Sequence, residues 1–186
     1  MDEALCSSLG IKLPNFDKLL ADLDTHHIEG IAREGNTPFS VPLISHVKDN
    51  LWQGGCVGGV DLQGHFKHII SLYPWERYNP GGELDSFMEV KLYDGPRVPN
   101  EQQLYSLAEW INFCKQRGPT LVHCQAGLNR SGLVTALSLV LSGMTPIEAI
   151  ALLRASRSPA VLCNGTFEKW LLALPLPLAG MTLHVD

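Results

Sequence analysis

The sequence predicts an α/β domain with a central, largely parallel sheet of four to five strands flanked by helices. Two observations support this prediction. From Leu43 onward, short apolar segments typical of buried strands alternate with longer segments of helical periodicity, and this alternation favours a parallel sheet. In addition, 45% of the 186 residues are hydrophobic, which is enough to bury a substantial core in one domain.

The elements are predicted in a regular order along the chain. The segment FDKLLADLDTHHIEGIA, before residue 43, has helical spacing of its apolar residues. Strands are predicted in NLWQGG, in HFKHIISLY after a helix end, in SFMEVKLYD and in PTLVHC. Helices are predicted in EQQLYSLAEWINFCKQRG, RSGLVTALSLVLSG, TPIEAIALLRASR and GTFEKWLLAL. Thr145 suits the N-cap of the third helix and Pro146 its first position.

The chain divides into three predicted regions. Residues 1–42 form an N-terminal extension that packs on or flanks the domain, residues 43–174 form the α/β domain, and residues 175–186 form a tail. The extension is broken by three prolines and lacks the strand–helix alternation that defines the domain.

Composition limits the expected partners and location. A formal net charge of -5 gives no general attraction to DNA, RNA or an anionic membrane. The five cysteines include no Cys-x-x-Cys pair, which favours a reducing compartment, and no histidine pair has zinc-site spacing. The start MDEALCSSLG does not resemble a signal peptide, and GLVTALSLVLSG is too short to cross a bilayer. We expect a cytoplasmic protein without metal or cofactor.

The segment LVHCQAGLNRSG joins a predicted strand to a predicted helix and concentrates chemistry in a few residues. Ligands bind at the carboxyl ends of strands in open α/β sheets, and a loop curled before a helix N-terminus turns its N–H groups toward an anion. The guanidinium of Arg130 would complete such a ring around a phosphate. We call Cys124–Arg130 the phosphate loop; with the preceding histidine, its predicted phosphate-binding residues are His123, Gln125, Ala126, Gly127, Leu128 and Asn129.

Cys124 would lie beneath the bound phosphate. The positive potential of a helix terminus favours a thiolate at neutral pH, which is the form that attacks phosphorus. Ser131 could donate a hydrogen bond to the sulfur and stabilise it as a leaving group. The alternative is a buried structural cysteine beside a helix-terminal arginine, but the neighbouring His, Gly and Ser-Gly favour catalysis.

These residues also resemble a known signature. HCQAGLNRSG is similar to His-Cys-x-x-Gly-x-x-Arg-Ser/Thr of the cysteine-dependent protein tyrosine phosphatases, with the closest fit to the dual-specificity branch. NLWQGG resembles that branch's entry strand, and LLRASRSPAVLCNGTFEKWL its C-terminal segment. The resemblance implies hydrolysis of phosphomonoesters through a phosphocysteine intermediate. It also implies that Arg157 and Asn164 support the phosphate loop without touching the substrate, although a helix-end salt bridge would equally explain Arg157.

The expelled alkoxide or phenoxide needs a proton donor, which is worth about 10²–10⁴-fold in rate. In the resembling family, an aspartate about thirty residues before the cysteine has this role, and Asp94 in KLYDGPRVPN has that spacing. A turn aspartate before Gly-Pro is the structural alternative, and Asp85 is the second candidate for the acid. Cys114 and Cys163 are predicted core residues, and Cys56 is considered as a redox partner of Cys124.

The expected substrate is a phosphorylated protein. The uncharged residues of the phosphate loop do not favour polyanionic substrates, and the compact length extends the expected activity from phosphotyrosine to phosphoserine and phosphothreonine. GLNR also resembles RNA 5'-triphosphatases of the same fold, but the acidic chain and Asp94 argue against RNA. A phosphate-binding adaptor without turnover is the third hypothesis.

Overall fold

A computed structural model describes residues 26–58, 62, 64–75 and 84–175. Within these residues the chain forms seven strands and four helices. The strands are β1 (His27–Ala32), β2 (Thr37–Pro42), β3 (Ile44–Lys48), β4 (Leu51–Gly54), β5 (His68–Ser71), β6 (Ser86–Glu89) and β7 (Thr120–His123). The helices are α1 (Glu101–Lys115), α2 (Arg130–Leu141), α3 (Pro146–Ser156) and α4 (Gly165–Leu172). The predicted tail, apart from its first residue, lies outside the described residues.

The five-stranded central sheet has the order β3-β4-β7-β5-β6. The pairs β4–β7, β7–β5 and β5–β6 are parallel, and β3 pairs antiparallel with β4 at one edge. The predicted α/β fold with a largely parallel sheet is therefore confirmed. Because β7 lies at the centre of the sheet, the phosphate loop that follows it starts from a fully buried strand.

Side chains of the central strands point alternately into two apolar layers, one on each face of the sheet. Leu121 of β7 and Ile69 of β5 belong to one buried cluster, whereas the next residues, Val122 and Ile70, belong to the other. Successive side chains of a strand point to opposite faces, so the sheet is covered on both sides. Helix α2 is the centre of the larger cluster, with every residue from Arg130 to Val140 buried.

Capping residues define the helix starts, as the sequence predicts for α3. The Thr145 hydroxyl accepts from the backbone N–H of Glu148, and the Glu148 carboxylate accepts from the N–H of Thr145, which completes a capping box ahead of Pro146. Asn100 caps α1 and Asn164 caps α4 through their side chains. Helix α2 differs, because among the described residues no side chain caps its N-terminus.

The helix predicted over residues 16–32 is wrong from residue 27 onward, and residues 16–25 lie outside the described residues. Residues 27–42 form an antiparallel hairpin of β1 and β2, which we call the N-terminal hairpin. Gly35 (φ 87°) and Asn36 (φ 44°) have left-handed backbone conformations in its turn, and glycine and asparagine adopt these at the lowest cost. This turn overrides the helical spacing of the apolar residues before it.

Two further boundaries differ from the prediction. The helix end expected before β5 is a turn in the described residues 64–67, where Gly64 has φ 77°. The strand expected over SFMEVKLYD ends at Glu89, because its partner β5 ends at the paired residue Ser71. Asp94 therefore lies in an irregular segment and not at a strand end.

Candidate active site

The phosphate loop leaves β7 at Cys124 and enters α2 at Arg130. The N–H of Cys124 donates to the carbonyl of Gly54 (3.2 Å), and the N–H of Cys56 donates to the carbonyl of Gln125 (2.8 Å). Gly127 has φ 70°, and a Cβ at this position would lie 2.4 Å from the carbonyl carbon of Gly54. Only glycine satisfies both the conformation and the close approach of the two backbones.

Arg157 holds the outer side of the phosphate loop. Its Nε donates to the carbonyl of Gly127 (2.8 Å), its Nη2 to the carbonyl of Ala126 (2.9 Å), and its Nη1 to Ser45 Oγ (3.1 Å). A peptide's N–H points opposite to its C=O. Binding these two carbonyls from behind therefore turns the N–H groups of Gly127 and Leu128 inward, which is the arrangement that attracts an anion.

Cys124 lies at the base of the loop, with 2% of its surface exposed. Its Sγ is 3.4 Å from Ser131 Oγ, and Gln53 Nε2 donates to the same hydroxyl oxygen (3.3 Å) and to the carbonyl of Gly127 (2.9 Å). Because an amide nitrogen can only donate, the Ser131 hydroxyl proton remains available for the sulfur. This geometry suits a serine that stabilises a thiolate.

Arg130 is buried at the end of the phosphate loop, and one of its hydrogen-bond donors, Nε, has no partner among the described residues. Its guanidinium lies 4.9 Å from the centroid of the Tyr73 ring, and Nη1 is 3.5 Å from the carbonyl of Leu92. The buried Nε has no hydrogen-bond partner within the part of the chain that the structure describes. Such a donor is costly unless a ligand accepts from it, so the site is arranged to receive an anion.

Asp94 faces the same cavity and is held through both carboxylate oxygens. Asn129 Nδ2 donates to Oδ2 (3.0 Å) and Asn164 Nδ2 donates to Oδ1 (2.9 Å). Asn164 also donates to the carbonyl of Gly95 (3.0 Å), and its backbone N–H donates to Asn129 Oδ1 (2.9 Å). The two asparagines therefore fix the Asp94 carboxyl group relative to the phosphate loop. Asp85, the second candidate, is not among the residues that line this cavity.

The cavity has a volume of about 700 Å³. The predicted residues that line it are Cys124, Arg130, Asp94, Gln125, Ala126, Leu128 and Asn129. The other predicted residues, His123, Gly127, Ser131, Arg157 and Asn164, lie behind this lining. His123 is 1% exposed, and burial lowers its pKa to about 4, so it is neutral at neutral pH.

Several residues of the site were missed in the sequence analysis. Ser45 accepts a hydrogen bond from Arg157, and Gln53 donates one to Ser131; both are buried polar residues in strands of the central sheet. That pattern is a usable signal, because a polar side chain is buried only with a partner. Tyr73 beneath Arg130 carried no such signal.

The cysteines outside the loop differ in their surroundings. Cys114 is buried as predicted, whereas Cys163 is half-buried and connects two parts of the site. Its single S–H lies within hydrogen-bonding distance of two acceptors, the carbonyl of Glu34 in the hairpin turn (3.3 Å) and Asn129 Oδ1 (3.4 Å). Burial raises the pKa of the Cys163 thiol, so it donates as a neutral group. Cys56 is buried and lines the cavity together with Cys124.

Comparison with known proteins identifies the family. Residues 61–175 match the model of the family described as "Dual specificity phosphatase, catalytic domain". The chain belongs to this family. The predicted family and its dual-specificity branch are confirmed, and the membership places the chain in the superfamily of cysteine-dependent protein tyrosine phosphatases.

Curated relatives of this phosphatase domain are moderately similar. Human dual specificity protein phosphatase 15 is 26% identical over 121 residues, which cover 62% of this chain and 40% of that protein. A probable rhodanese domain-containing dual specificity protein phosphatase of Dictyostelium discoideum is 29% identical over 121 residues, covering 60% of this chain and 25% of that protein. The chain thus spans less than half the length of these two relatives.

Solved structures share the fold of the phosphatase domain. Human DUSP28 superimposes with a TM-score of 0.58 at 17% identity, over 70% of this chain and 90% of that one. A mouse putative dual specificity phosphatase complexed with zinc tungstate gives a TM-score of 0.55 at 14% identity, over 69% of this chain and 86% of that one. Among the described residues, no helix combines the length and apolar character needed to cross a bilayer.

Proposed function

We propose that the protein hydrolyses phosphomonoesters of phosphorylated proteins through a phosphocysteine intermediate. The observation that carries this proposal is the convergence of Cys124, Asp94 and Arg130 on one cavity, together with the buried Nε of Arg130 that has no hydrogen-bond partner among the described residues. A nucleophile, an acid and an anion-binding donor are the three groups that thiolate attack on a phosphate ester requires.

In the first step the Cys124 thiolate attacks phosphorus, so that an S–P bond forms while the bond to the leaving oxygen breaks. Asp94 donates its proton to that oxygen. Arg130 and the inward N–H groups of the loop neutralise the charge on the phosphoryl oxygens, which is the largest contribution to be expected from a preorganised site.

In the second step a water molecule attacks the phosphocysteine. Asp94, now a carboxylate, accepts a proton from this water, the S–P bond breaks, and inorganic phosphate leaves. The Ser131 hydroxyl, 3.4 Å from Sγ, donates to the departing thiolate. Gln53 keeps that hydroxyl in position in both steps.

Phosphotyrosine is the substrate that suits the cavity lining best. Ile28, Phe39, Tyr73 and Leu92 line the cavity and present apolar surface to an aromatic ring. The loop side chains between Cys124 and Arg130 are uncharged, which favours a single phosphate over a polyphosphate. Phosphoserine and phosphothreonine remain part of the proposal through the dual-specificity family. A reducing cytoplasmic location would keep Cys124 in its reactive form.

The experiment compares two substrates for the same site. Phosphate release is measured from a phosphotyrosine peptide and from 5'-triphosphorylated RNA, with the rate of Cys124→Ser subtracted from each. We expect Cys124-dependent release from the peptide and none from RNA. Release from RNA alone would replace the proposal with the RNA 5'-triphosphatase hypothesis. Binding of phosphate without release from either substrate would support the adaptor hypothesis.

A further inference from the structure

Strand β1 borders the active-site cavity along most of its length. Residues 28–33 line the cavity consecutively, although Ile28 packs on the core while Glu29 and Ile31 are exposed. Side chains of a strand alternate between two faces, so a single face would contribute only every second residue. Residues from both faces of β1 line the cavity, whereas Phe39 is the one residue of β2 that does. This pattern indicates that the cavity runs along β1 and its backbone groups more than along β2.

Two prolines show which backbone groups of the hairpin point outward. Pro42 pairs with His27, and Pro38 pairs with Ile31. A proline has no N–H and cannot exchange two hydrogen bonds with its partner, so these are non-hydrogen-bonded pairs. The pair Glu29 and Ser40 has the same register and belongs to the same class. The N–H and C=O groups of Glu29 and Ile31 therefore point away from β2.

The two outer edges of the hairpin are different. On β2 the prolines remove N–H groups, which is a common way to protect an edge from pairing. On β1 the edge keeps its donors and acceptors, and no strand pairs with it within residues 26–58, 62, 64–75 and 84–175. The unprotected edge is thus the one beside the cavity.

Exposed apolar side chains surround the same opening. Ile31 is 68% exposed, Trp75 51% and Tyr93 65%, and all three line the cavity. The ammonium group of Lys91 lies 4.9 Å from the Trp75 ring centroid and 5.2 Å from that of Tyr93. Large apolar groups left in water beside a pocket are typical of a surface that binds another molecule.

We propose that the outer edge of β1 binds the main chain of the phosphoprotein substrate as an added antiparallel or parallel strand. The occupant is an extended segment of that substrate, whose phosphorylated side chain enters the cavity toward Cys124. Main-chain hydrogen bonds to Glu29 and Ile31 supply affinity without sequence preference, and side chains next to the phosphorylated residue meet Trp75 and Tyr93. This inference rests on the proposed phosphatase function.

The test compares an extended substrate with one that has no main chain. kcat/KM is measured for a phosphotyrosine heptapeptide and for 4-nitrophenyl phosphate, and their ratio is calculated for each protein. Glu29→Pro removes one outward N–H, and we expect the peptide-to-aryl ratio to fall about five- to tenfold. Ser40→Pro, at the directly paired residue, removes an N–H from the opposite edge and should leave the ratio within about twofold of the wild type.

The outcomes separate this inference from the proposed function. No Cys124-dependent turnover of 4-nitrophenyl phosphate by the wild type would contradict the phosphatase function itself. Turnover with an unchanged ratio in Glu29→Pro would overturn the strand-addition inference alone. A rise in the ratio would also overturn it, because another part of the chain would then occupy the edge. If Glu29→Gln lowered the peptide-to-aryl ratio as much as Glu29→Pro does, the effect would be due to the charge of Glu29, and the backbone contact would be rejected.

A second measurement needs no protein variant. kcat/KM of the wild-type protein is measured for a series of phosphotyrosine peptides, each with one N-methylated amide on either side of the phosphotyrosine. We expect an alternating pattern, in which methylation of the amide that faces β1 lowers kcat/KM about fivefold or more and methylation of its neighbours has less effect. Equal sensitivity or insensitivity at all positions would contradict the proposal.

Discussion

Asn129 donates a 3.0 Å hydrogen bond from Nδ2 to Oδ2 of Asp94, so the phosphate loop and the proposed acid are directly connected. Asn129 is the last residue before α2, where an asparagine would ordinarily cap the helix. Its side chain instead binds Asp94, and among the described residues no other side chain takes its place as a cap. The helix N-terminus is thereby left open for an anion while the acid is fixed beside it.

Replacement of this asparagine should therefore affect catalysis through Asp94. We expect Asn129→Ala to lower kcat for 4-nitrophenyl phosphate about tenfold, because the carboxyl group loses one of its two fixed partners. In the Asp94→Asn background the same replacement should have little further effect, which a double-mutant cycle of kcat values would reveal. Additive effects of the two changes would show that Asn129 acts independently of Asp94.

Asp94→Asn should remove proton transfer while preserving the shape of the site. We expect kcat to fall by about 10²-fold or more with a change in KM below about twofold. The limb of the pH–rate profile that reports ionisation of Asp94 should disappear. A profile with the same shape as that of the wild type would exclude Asp94 as the acid.

Gly127→Ala tests the backbone geometry of the phosphate loop, and Gly143→Ala is its matched control. Both have positive φ, but a Cβ at Gly127 would meet Gly54 at 2.4 Å, whereas at Gly143 it would meet no atom within 4 Å. We expect Gly143→Ala to cost about 1–2 kcal/mol of unfolding free energy and to retain activity. Gly127→Ala should lose Cys124-dependent turnover at a temperature at which circular dichroism still shows a folded protein. Equal activity of the two variants would contradict the required close approach.

Arg157 should matter for both stability and turnover. We expect Arg157→Met to lower the unfolding free energy by about 2–4 kcal/mol, because it leaves loop carbonyls without their charged donor. The control is Arg154→Met, three residues earlier in the last turn of α3, which loses a partly exposed ion pair with Glu168 and one hydrogen bond to Val161. Its cost should be about 1 kcal/mol with kcat retained. Urea unfolding and kcat measurements would check both. Loss of stability without loss of kcat in Arg157→Met would limit that residue to a structural role.

The buried His123 predicts a loss of stability in mild acid. Its pKa in the folded protein is about 4, below the ordinary value of about 6.5. Above pH 6.5 both the folded and unfolded forms are neutral and the full stability is present. Between pH 6.5 and 4 the unfolded chain binds a proton that the folded chain does not, which lowers the unfolding free energy by about 3 kcal/mol. Urea unfolding of His123→Gln should show a correspondingly smaller decrease over this range, and an identical decrease would contradict the prediction.

Local sequence signals predicted the parts of the fold that local chemistry determines. Thr145 and Pro146 alone predicted the start of α3, and the apolar segment before Cys124 predicted a buried strand. The segment around Cys124 and Arg130 likewise carries its chemistry in neighbouring residues. These features needed no knowledge of the remaining chain.

Features that depend on distant contacts were missed or assigned wrongly. The strand at His27–Ala32 forms because β2 pairs with it, and this pairing outweighs the helical spacing of its apolar residues. Gln53 is 78 positions from Ser131 in the sequence. It becomes part of the site only because its strand, β4, pairs with β7. The spacing of Asp94 led to its proposed role as the acid, but its two asparagine partners come from parts of the chain that the sequence does not place together.

Helix α2, buried from Arg130 to Val140, has a consequence for how this protein can diversify. Its first residues, Arg130 and Ser131, belong to the proposed active site and the rest to the core, so almost any substitution there should affect folding, the proposed chemistry or both. The N-terminal hairpin borders the same cavity with exposed side chains that few neighbours constrain. Evolution can therefore alter what the protein acts on by changing the hairpin, while the helix that supports the chemistry remains nearly invariant.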